Sequence, residues 1–283
     1  ADGNGHGSFA YAPPSGFLAL CSQNLPDAAI IDGTENFNTV LYAGNGGSSN
    51  AISGVGFSPD WLWIKNRTDT YSHMIYDTVR GAGKYISSDS TGAEATGSHM
   101  NSFDSDGFTV SVASSNRTNA SSNNYVAWNW LAGSSTSTNG DGSVSSTVSV
   151  NTTAGFSIAT FTGIATGGDR SFGHGLGKTP TMVIVRRRDP GDFWWVWHTG
   201  LSHATDRYLK LNDTTAEVTA SGTWGGGITS SVVGLRGSSF SSGTSATFVA
   251  YSFTDIEGYC KAGSFEGNSS SQNFVYTGFR PSW

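Results

Sequence analysis

Gly56-Phe57-Ser58-Pro59-Asp60-Trp61-Leu62-Trp63-Ile64-Lys65 and Gly175-Leu176-Gly177-Lys178-Thr179-Pro180-Thr181-Met182-Val183-Ile184-Val185-Arg186 decide the fold. In each, a glycine turn and a proline lead into a short apolar run of strand length. Proline at a strand start is tolerated because its missing N–H falls outside the ladder. Alternate residues of a strand face opposite ways, so Trp61 and Trp63 share one face and Leu62 and Ile64 the other. Both faces are apolar, which predicts a central strand packed on two sides.

The likeness between the two stretches continues downstream. Met74-Ile75-Tyr76-Asp77-Thr78 aligns with Trp195-Val196-Trp197-His198-Thr199, and Lys84-Tyr85-Ile86 with Arg207-Tyr208-Leu209. Thr91-Gly92-Ala93-Glu94-Ala95-Thr96 aligns with Thr214-Thr215-Ala216-Glu217-Val218-Thr219. Tyr125-Val126-Ala127-Trp128-Asn129-Trp130 aligns with Phe248-Val249-Ala250-Tyr251-Ser252-Phe253. Ordered matches at a near-constant offset identify an internal duplication. A third copy starts at Phe265-Glu266-Gly267-Asn268 and breaks off at Pro281-Ser282-Trp283, so further chain or another subunit is expected to cover its strands. The predicted organisation is an N-terminal arm over 1–30, a first repeat over 31–133 and a linker over 134–149. A second repeat over 150–258 and a partial third over 259–283 follow.

Composition agrees with strands. Of 283 residues, 38 are Gly and 13% are charged, too few Lys and Glu for long exposed helix faces. Hydrophobic residues are 36%, and nine Trp must supply core volume that aliphatic side chains do not. Ser, Thr, Asn and Gly between the apolar runs are turn chemistry. The expected fold is all-β: two tandem homologous β-sandwich domains, jelly-roll-like, with an extended arm ending in an apolar plug at Leu18-Ala19-Leu20-Cys21. A net charge of −6 argues against nucleic acid as a partner. No apolar run reaches the ~20 residues of a membrane-spanning helix.

Candidate sites are few. Trp224, in Gly222-Thr223-Trp224-Gly225-Gly226-Gly227, reads as an exposed ring that stacks on sugar. The triplet Trp194, Trp195 and Trp197 reads as core, because alternation puts rings on both faces. Cys21 and Cys260 read as two free thiols or as one bridge tying the arm to the C-terminal region. Arg186–Arg188 reads as a solvated strand end. Asp104-Ser105-Asp106-Gly107 starts like a calcium loop, but Ser115 stands where a bidentate Glu is needed, so a hairpin turn is expected. The six His show no metal spacing, and no cofactor motif is present. Glu94 and Glu217, one per repeat, imply a shared structural role rather than a catalytic pair. No nucleophile elbow stands between a strand and a helix.

Gly54-Val55-Gly56-Phe57-Ser58-Pro59-Asp60-Trp61-Leu62-Trp63-Ile64-Lys65-Asn66-Arg67, Ser72-His73-Met74-Ile75-Tyr76-Asp77-Thr78-Val79-Arg80-Gly81 and Ser102-Phe103-Asp104-Ser105-Asp106-Gly107-Phe108 carry a family resemblance. The chain resembles, over about 40–283, an uncharacterised repeat domain of virion-associated proteins in marine tailed phages. Tyr11-Ala12-Pro13-Pro14-Ser15-Gly16-Phe17 resembles the end of a lectin-like (SPRY or concanavalin-like) sandwich. The resemblance implies a non-enzymatic tail fibre, capsid fibre or decoration protein in the extracellular particle. It further implies other virion proteins as partners, a homo-oligomer with trimer favoured, and host surface glycans as a contact. A secreted or cell-surface carbohydrate-binding module is the alternative expectation, and a polysaccharide-degrading enzyme the third.

Overall fold

The structure, a computed structural model, describes residues 1–24, 29–112, 116–163, 168–189, 192–236, 246–269 and 273–282. The Ser115 position of the calcium-loop comparison and the terminal Trp283 lie outside the described residues. The fold is all-β with several antiparallel sheets. The first half contributes β1 (Phe37–Ala43), β2 (Asn50–Ser53), β3 (Trp61–Asn66), β4 (Met74–Asp77), β5 (Lys84–Ser87), β6 (Ala95–Thr96), β7 (Met100–Asp104), β8 (Gly107–Val110) and β9 (Asn124–Trp130). The second contributes β10 (Ser137–Asn139), β11 (Ser146–Asn151), β12 (Phe156–Thr162), β13 (Arg170–Gly173), β14 (Met182–Arg187), β15 (Trp194–His198), β16 (Arg207–Lys210), β17 (Val218–Thr219), β18 (Val232–Leu235) and β19 (Thr247–Phe253).

The large sheet of the first half runs β1-β9-β3-β4-β5-β6, and β2-β8-β7 form a small sheet. The large sheet of the second half runs β10-β11-β12-β19-β14-β15-β16-β17, with β13-β18 as its small companion. From β12 onward the second order repeats the first, strand for aligned strand. β3 and β14, the strands that decide the fold, are both central, as two apolar faces require.

Each large sheet has its small sheet over one face. Leu62, Ile64, Tyr76, Tyr125 and Ala127 pack against Phe108 and Val110 in the first half. Val183, Val185, Phe161 and Phe248 pack against Phe172, Val233 and Leu235 in the second. The remaining faces meet each other. Trp61, Ile75, Ile86 and Trp130 share one core cluster with Phe156, Ile158, Ile184, Val196, Tyr251 and Phe253. Trp61 sits in the middle, with ring centroids 4.7 Å from Tyr251, 5.5 Å from Phe156 and 6.0 Å from Phe253. The two halves therefore pack sheet against sheet through a continuous aromatic core.

A polar cluster closes one margin of this core. Arg80 Nε lies 2.5 Å from Asp77 Oδ2, and the Tyr251 hydroxyl donates to the same oxygen at 2.7 Å. Arg80 Nη1 is 3.2 Å from Glu94, and Glu94 also takes a paired contact from Arg188 at 2.8 and 2.9 Å. Tyr251 and Arg188 belong to the second half and the other three to the first. Trp194 Nε1 donates across the same boundary to Ser87 O at 3.0 Å.

Several expectations need correction. Residues 134–149 are not a linker, because they carry β10 and the start of β11, which widen the second sheet. Val148 is buried in the core and Ser146 Oγ donates to Gly173 O at 2.6 Å, so the Ser/Thr-rich stretch is held by alternation and hydroxyl bonds. The arm is not extended. The Asp2 carboxylate accepts from the backbone N–H of Ala19, His6 and Asn4 and from the Asn24 amide, which curls residues 2–24 on themselves. Those donors, Ala19 foremost, hold the Asp2 carboxyl below the usual range. The plug at the arm's end leaves Leu18 and Leu20 exposed. The segment aligned with a third repeat contains no named strand among its described residues.

Two outcomes are expected. Because the halves share one core, calorimetry should give a single unfolding transition, and Trp61→Ala should cost about 3–5 kcal/mol. Two resolved transitions would contradict the shared core. Glu94 is pushed up by burial, but its hydrogen bonds to Arg188 and the charges of Arg80 and Arg188 outweigh this and hold it below its ordinary value. A lowered folded value means stability present at neutral pH and lost as pH falls through the folded value. Glu94→Gln should therefore lower the urea midpoint at pH 7, and its difference from the parent should shrink at pH 3.

Candidate functional site

A groove of about 370 Å³ is lined by Ser143, Val144, Ser145, Thr147, Thr160, Phe161, Thr162 and Arg188. Strand register builds it. Thr147 on β11 is opposite Thr160 on β12, and Thr160 is opposite Val249 on β19, which is opposite Arg186 on β14. Residues directly opposite in antiparallel strands share a face. Thr160 and Thr162 point the same way by alternation. Hydroxyls thus stand in adjacent rows on the face that elsewhere packs on the first half. Phe161 points to the other side and stacks on Phe172 at 4.3 Å and Phe248 at 5.1 Å, which fixes β12 beneath the groove.

Arg188 forms the wall. Its backbone N–H donates to Thr247 O at 2.8 Å, and Glu94 of the first half clamps its Nε and Nη2. Its side chain remains 21% exposed, so the guanidinium is oriented yet reachable. A fixed guanidinium beside hydroxyl rows suits a polyhydroxylated ligand, which exchanges hydrogen bonds with both. The arrangement holds no nucleophile–base pair, and the carboxylate at its rim is tied to two arginines.

Arg186–Arg188 is not a solvated end. Arg186 is fully buried, with its guanidinium 5.5 Å from the centroid of the Trp194 ring and Nη2 donating to Gly92 O. Burial brings its pKa down to about 10, against the opposing pull of Asp192. The first half's loop at Gly92–Glu94 covers what the sequence reads as a free strand end. Arg187 is paired with Asp189 at 3.7 Å.

Trp224 is not an exposed platform either. It is 0% exposed in the second-half core, and its Nε1 donates to Arg207 O at 2.8 Å. Positive φ at Gly226 and Gly227 turns the loop so that the indole goes under the small sheet. Cys21 and Cys260 are free thiols, not a bridge. Cys21 takes a contact from the Asn24 amide at 3.5 Å within the curled arm. Cys260 packs near Ile30, Ala154 and Ile256, where burial pushes its thiol up to about 11. Asp104 and Gly107 close the β7–β8 hairpin, and the Asp106 carboxylate accepts from Gly54 N and Gly56 N, which is turn chemistry. Glu94 and Glu217 do not share a role. Glu217 stays in its own half, bonded to Ser202 and 3.5 Å from Arg207. Among the described residues no cluster of three His, Cys, Asp or Glu could hold a metal, and no helix is long and apolar enough to cross a membrane.

Sequence reading missed the groove. Its one signal was Ser145-Ser146-Thr147 followed by alternating Val148, Ser149 and Val150, which a strand reading would have aligned beside Thr160 and Thr162.

No curated protein and no solved structure matches the chain. A family model described as a domain of unknown function (DUF7483) matches residues 32–283, which takes in both large sheets, both small sheets and every residue of the groove. The chain therefore belongs to the DUF7483 family.

Proposed function

We propose that this chain is a non-enzymatic structural and adhesion protein of a tailed-phage virion: a tail fibre, capsid fibre or decoration protein that contacts host surface glycans. On this reading it is two tandem homologous copies of a β-sandwich, jelly-roll-like module, since each half pairs one large and one small sheet with the same strand order. The motif resemblance over Gly54–Trp61, Ser72–Gly81 and Ser102–Phe108 supports the virion assignment. Its partners are then other virion proteins and further copies of itself, with a trimer favoured, and its place is the extracellular particle.

The observation that carries the adhesion part is the groove. Thr147, Thr160 and Thr162 on β11 and β12, with one clamped guanidinium, sit on strands whose opposite face is core, and Ser143 and Ser145 just before β11 complete the lining, so the site is preorganised. Polar, charge-poor, hydroxyl-rich contacts suit neutral glycans, which bind through many modest hydrogen bonds. A secreted carbohydrate-binding module is the second reading, favoured by the same groove. Immunogold labelling of particles separates the two, because the virion reading requires the chain on the particle. For the groove itself, glycan-array binding by the intact chain should fall at least about tenfold, or ~1.4 kcal/mol, in Thr147→Val/Thr160→Val. Arrays that bind parent and variant alike would remove the groove as the site, and release of reducing ends from host capsule would overturn the non-enzymatic reading.

A further inference from the structure

Arg187 and Arg188 have carboxylate partners, Asp189 at 3.7 Å and Glu94 at 2.8 and 2.9 Å. Arg186, beside them on β14, forms no ion pair among the described residues. Its side chain is buried on the face that Ile184 turns toward the first half. Nη2 donates to Gly92 O, while Nε and Nη1 have no hydrogen-bond partner. The Trp194 ring attracts the cation, but a ring face leaves those N–H donors unmet. Asp192 acts on the guanidinium only through space, and one of its oxygens already accepts from Phe193 N–H at 2.7 Å.

With a pKa near 10 the group is still a cation at neutral pH. A buried charge with no partner is strongly disfavoured, and buried donors left unmet in a folded chain mark the place of an ion or a water. The aligned position of the first half shows no such deficit. Lys65 stands there, and its Nζ donates to Tyr71 O at 2.8 Å and Asp69 O at 3.4 Å. Gly92, which caps Arg186, is itself exposed, so an ion from solvent has a short path in.

We propose that Nε and Nη1 of Arg186 hold a small monovalent anion of the halide class, chloride in ordinary media, between β14 and the Gly92 loop. One negative charge balances the one unpaired cation. A spherical ion is served by two N–H donors, whereas sulfate or phosphate brings oxygens that need more donors than these two. Because Arg186 belongs to the second half and Gly92 to the first, the ion binds the packed junction and not the unfolded chain, and so stabilises the fold by mass action.

Two measurements on the intact chain test this. In crystals grown with bromide in place of chloride, anomalous scattering should place bromide within hydrogen-bond reach of Arg186 Nε and Nη1. At constant ionic strength, exchanging methanesulfonate for chloride should raise the melting temperature with the logarithm of chloride concentration. Arg186→Met, similar in length and uncharged, should abolish both the bromide peak and the chloride dependence. If that variant does not fold, Arg186→Lys replaces it: lysine keeps the charge but not the fork, and should shift the dependence to at least about tenfold higher chloride. Water in place of bromide overturns the proposal. So does a chloride dependence that Arg186→Met retains or Arg186→Lys leaves unchanged. A bromide peak with no effect of chloride on melting is an adventitious ion only and overturns it as well.

Discussion

The structure depends on one constraint: each large sheet has two apolar faces, and its small sheet covers one. The uncovered face carries Phe37, Trp61, Trp63, Ile75, Trp128 and Trp130 in the first half. The aligned positions in the second half carry Phe156, Met182, Ile184, Val196, Tyr251 and Phe253. Both sets lie in or against the same cluster, so the same face of each half is spent on the other. That is the logic of an isologous dimer interface placed inside a single chain. Neither face is a surface that water tolerates, because contiguous apolar patches of that kind are rare on monomers. Rings do most of the filling, as they must in a chain short of aliphatic residues, and those around Trp61 meet at tilted angles with centroids 4.3 Å from Trp130 and 4.7 Å from Tyr251.

Aromatic contact alone sets no unique angle between two sheets, whereas the polar margin does. Asp77, Arg80, Glu94 and Arg188 form one chain of charges closed by the Tyr251 hydroxyl. Among the described residues the second half has no copy of it. His198 stands where Asp77 stands in the first, and Glu217 turns inward to Ser202. The lock is therefore built once, on one side of a nearly symmetric interface. Its value lies in orientation more than in net energy, since desolvation of buried charges offsets much of their attraction. The same asymmetry makes the groove: Glu94 reaches over to clamp Arg188 in the second half, while among the described residues no carboxylate of the second half pairs with an arginine of the first.

Much of this was legible in the residues. Alternation and turn chemistry gave strands, and apolar residues on both faces of Trp61–Ile64 gave a central position. What the chain conceals is which neighbour covers a residue. Trp224 lies among glycines, the usual mark of an exposed turn, yet those glycines are what let the indole fold under. Arg186 ends an apolar run, the usual mark of solvent, yet a loop from the other half closes over it. Ser137–Asn139 and Ser146–Asn151 have linker composition, and their strand character comes from the ladder of β12. In each case local composition is overruled by a partner distant in sequence, which is the ordinary limit of reading strands one at a time.

Burying both faces of both large sheets has a consequence for how such a molecule meets anything else. Faces are used up, so contact falls to edges, strand ends and the strip of sheet that overhangs its partner. The groove is that strip in the second half, where β11 and β12 run past the reach of the first half. β1, its counterpart in the first, has no strand along its outer side among the described residues; there the Asn38 side chain accepts from Thr39 N–H and the Asn50 amide donates to Ala43 O. One overhang is floored with hydroxyls, and the other is closed in part by side-chain amides. The two halves share a strand order from β12 onward, yet their margins differ, because β10 and β11 widen one large sheet and have no counterpart among the described strands of the other.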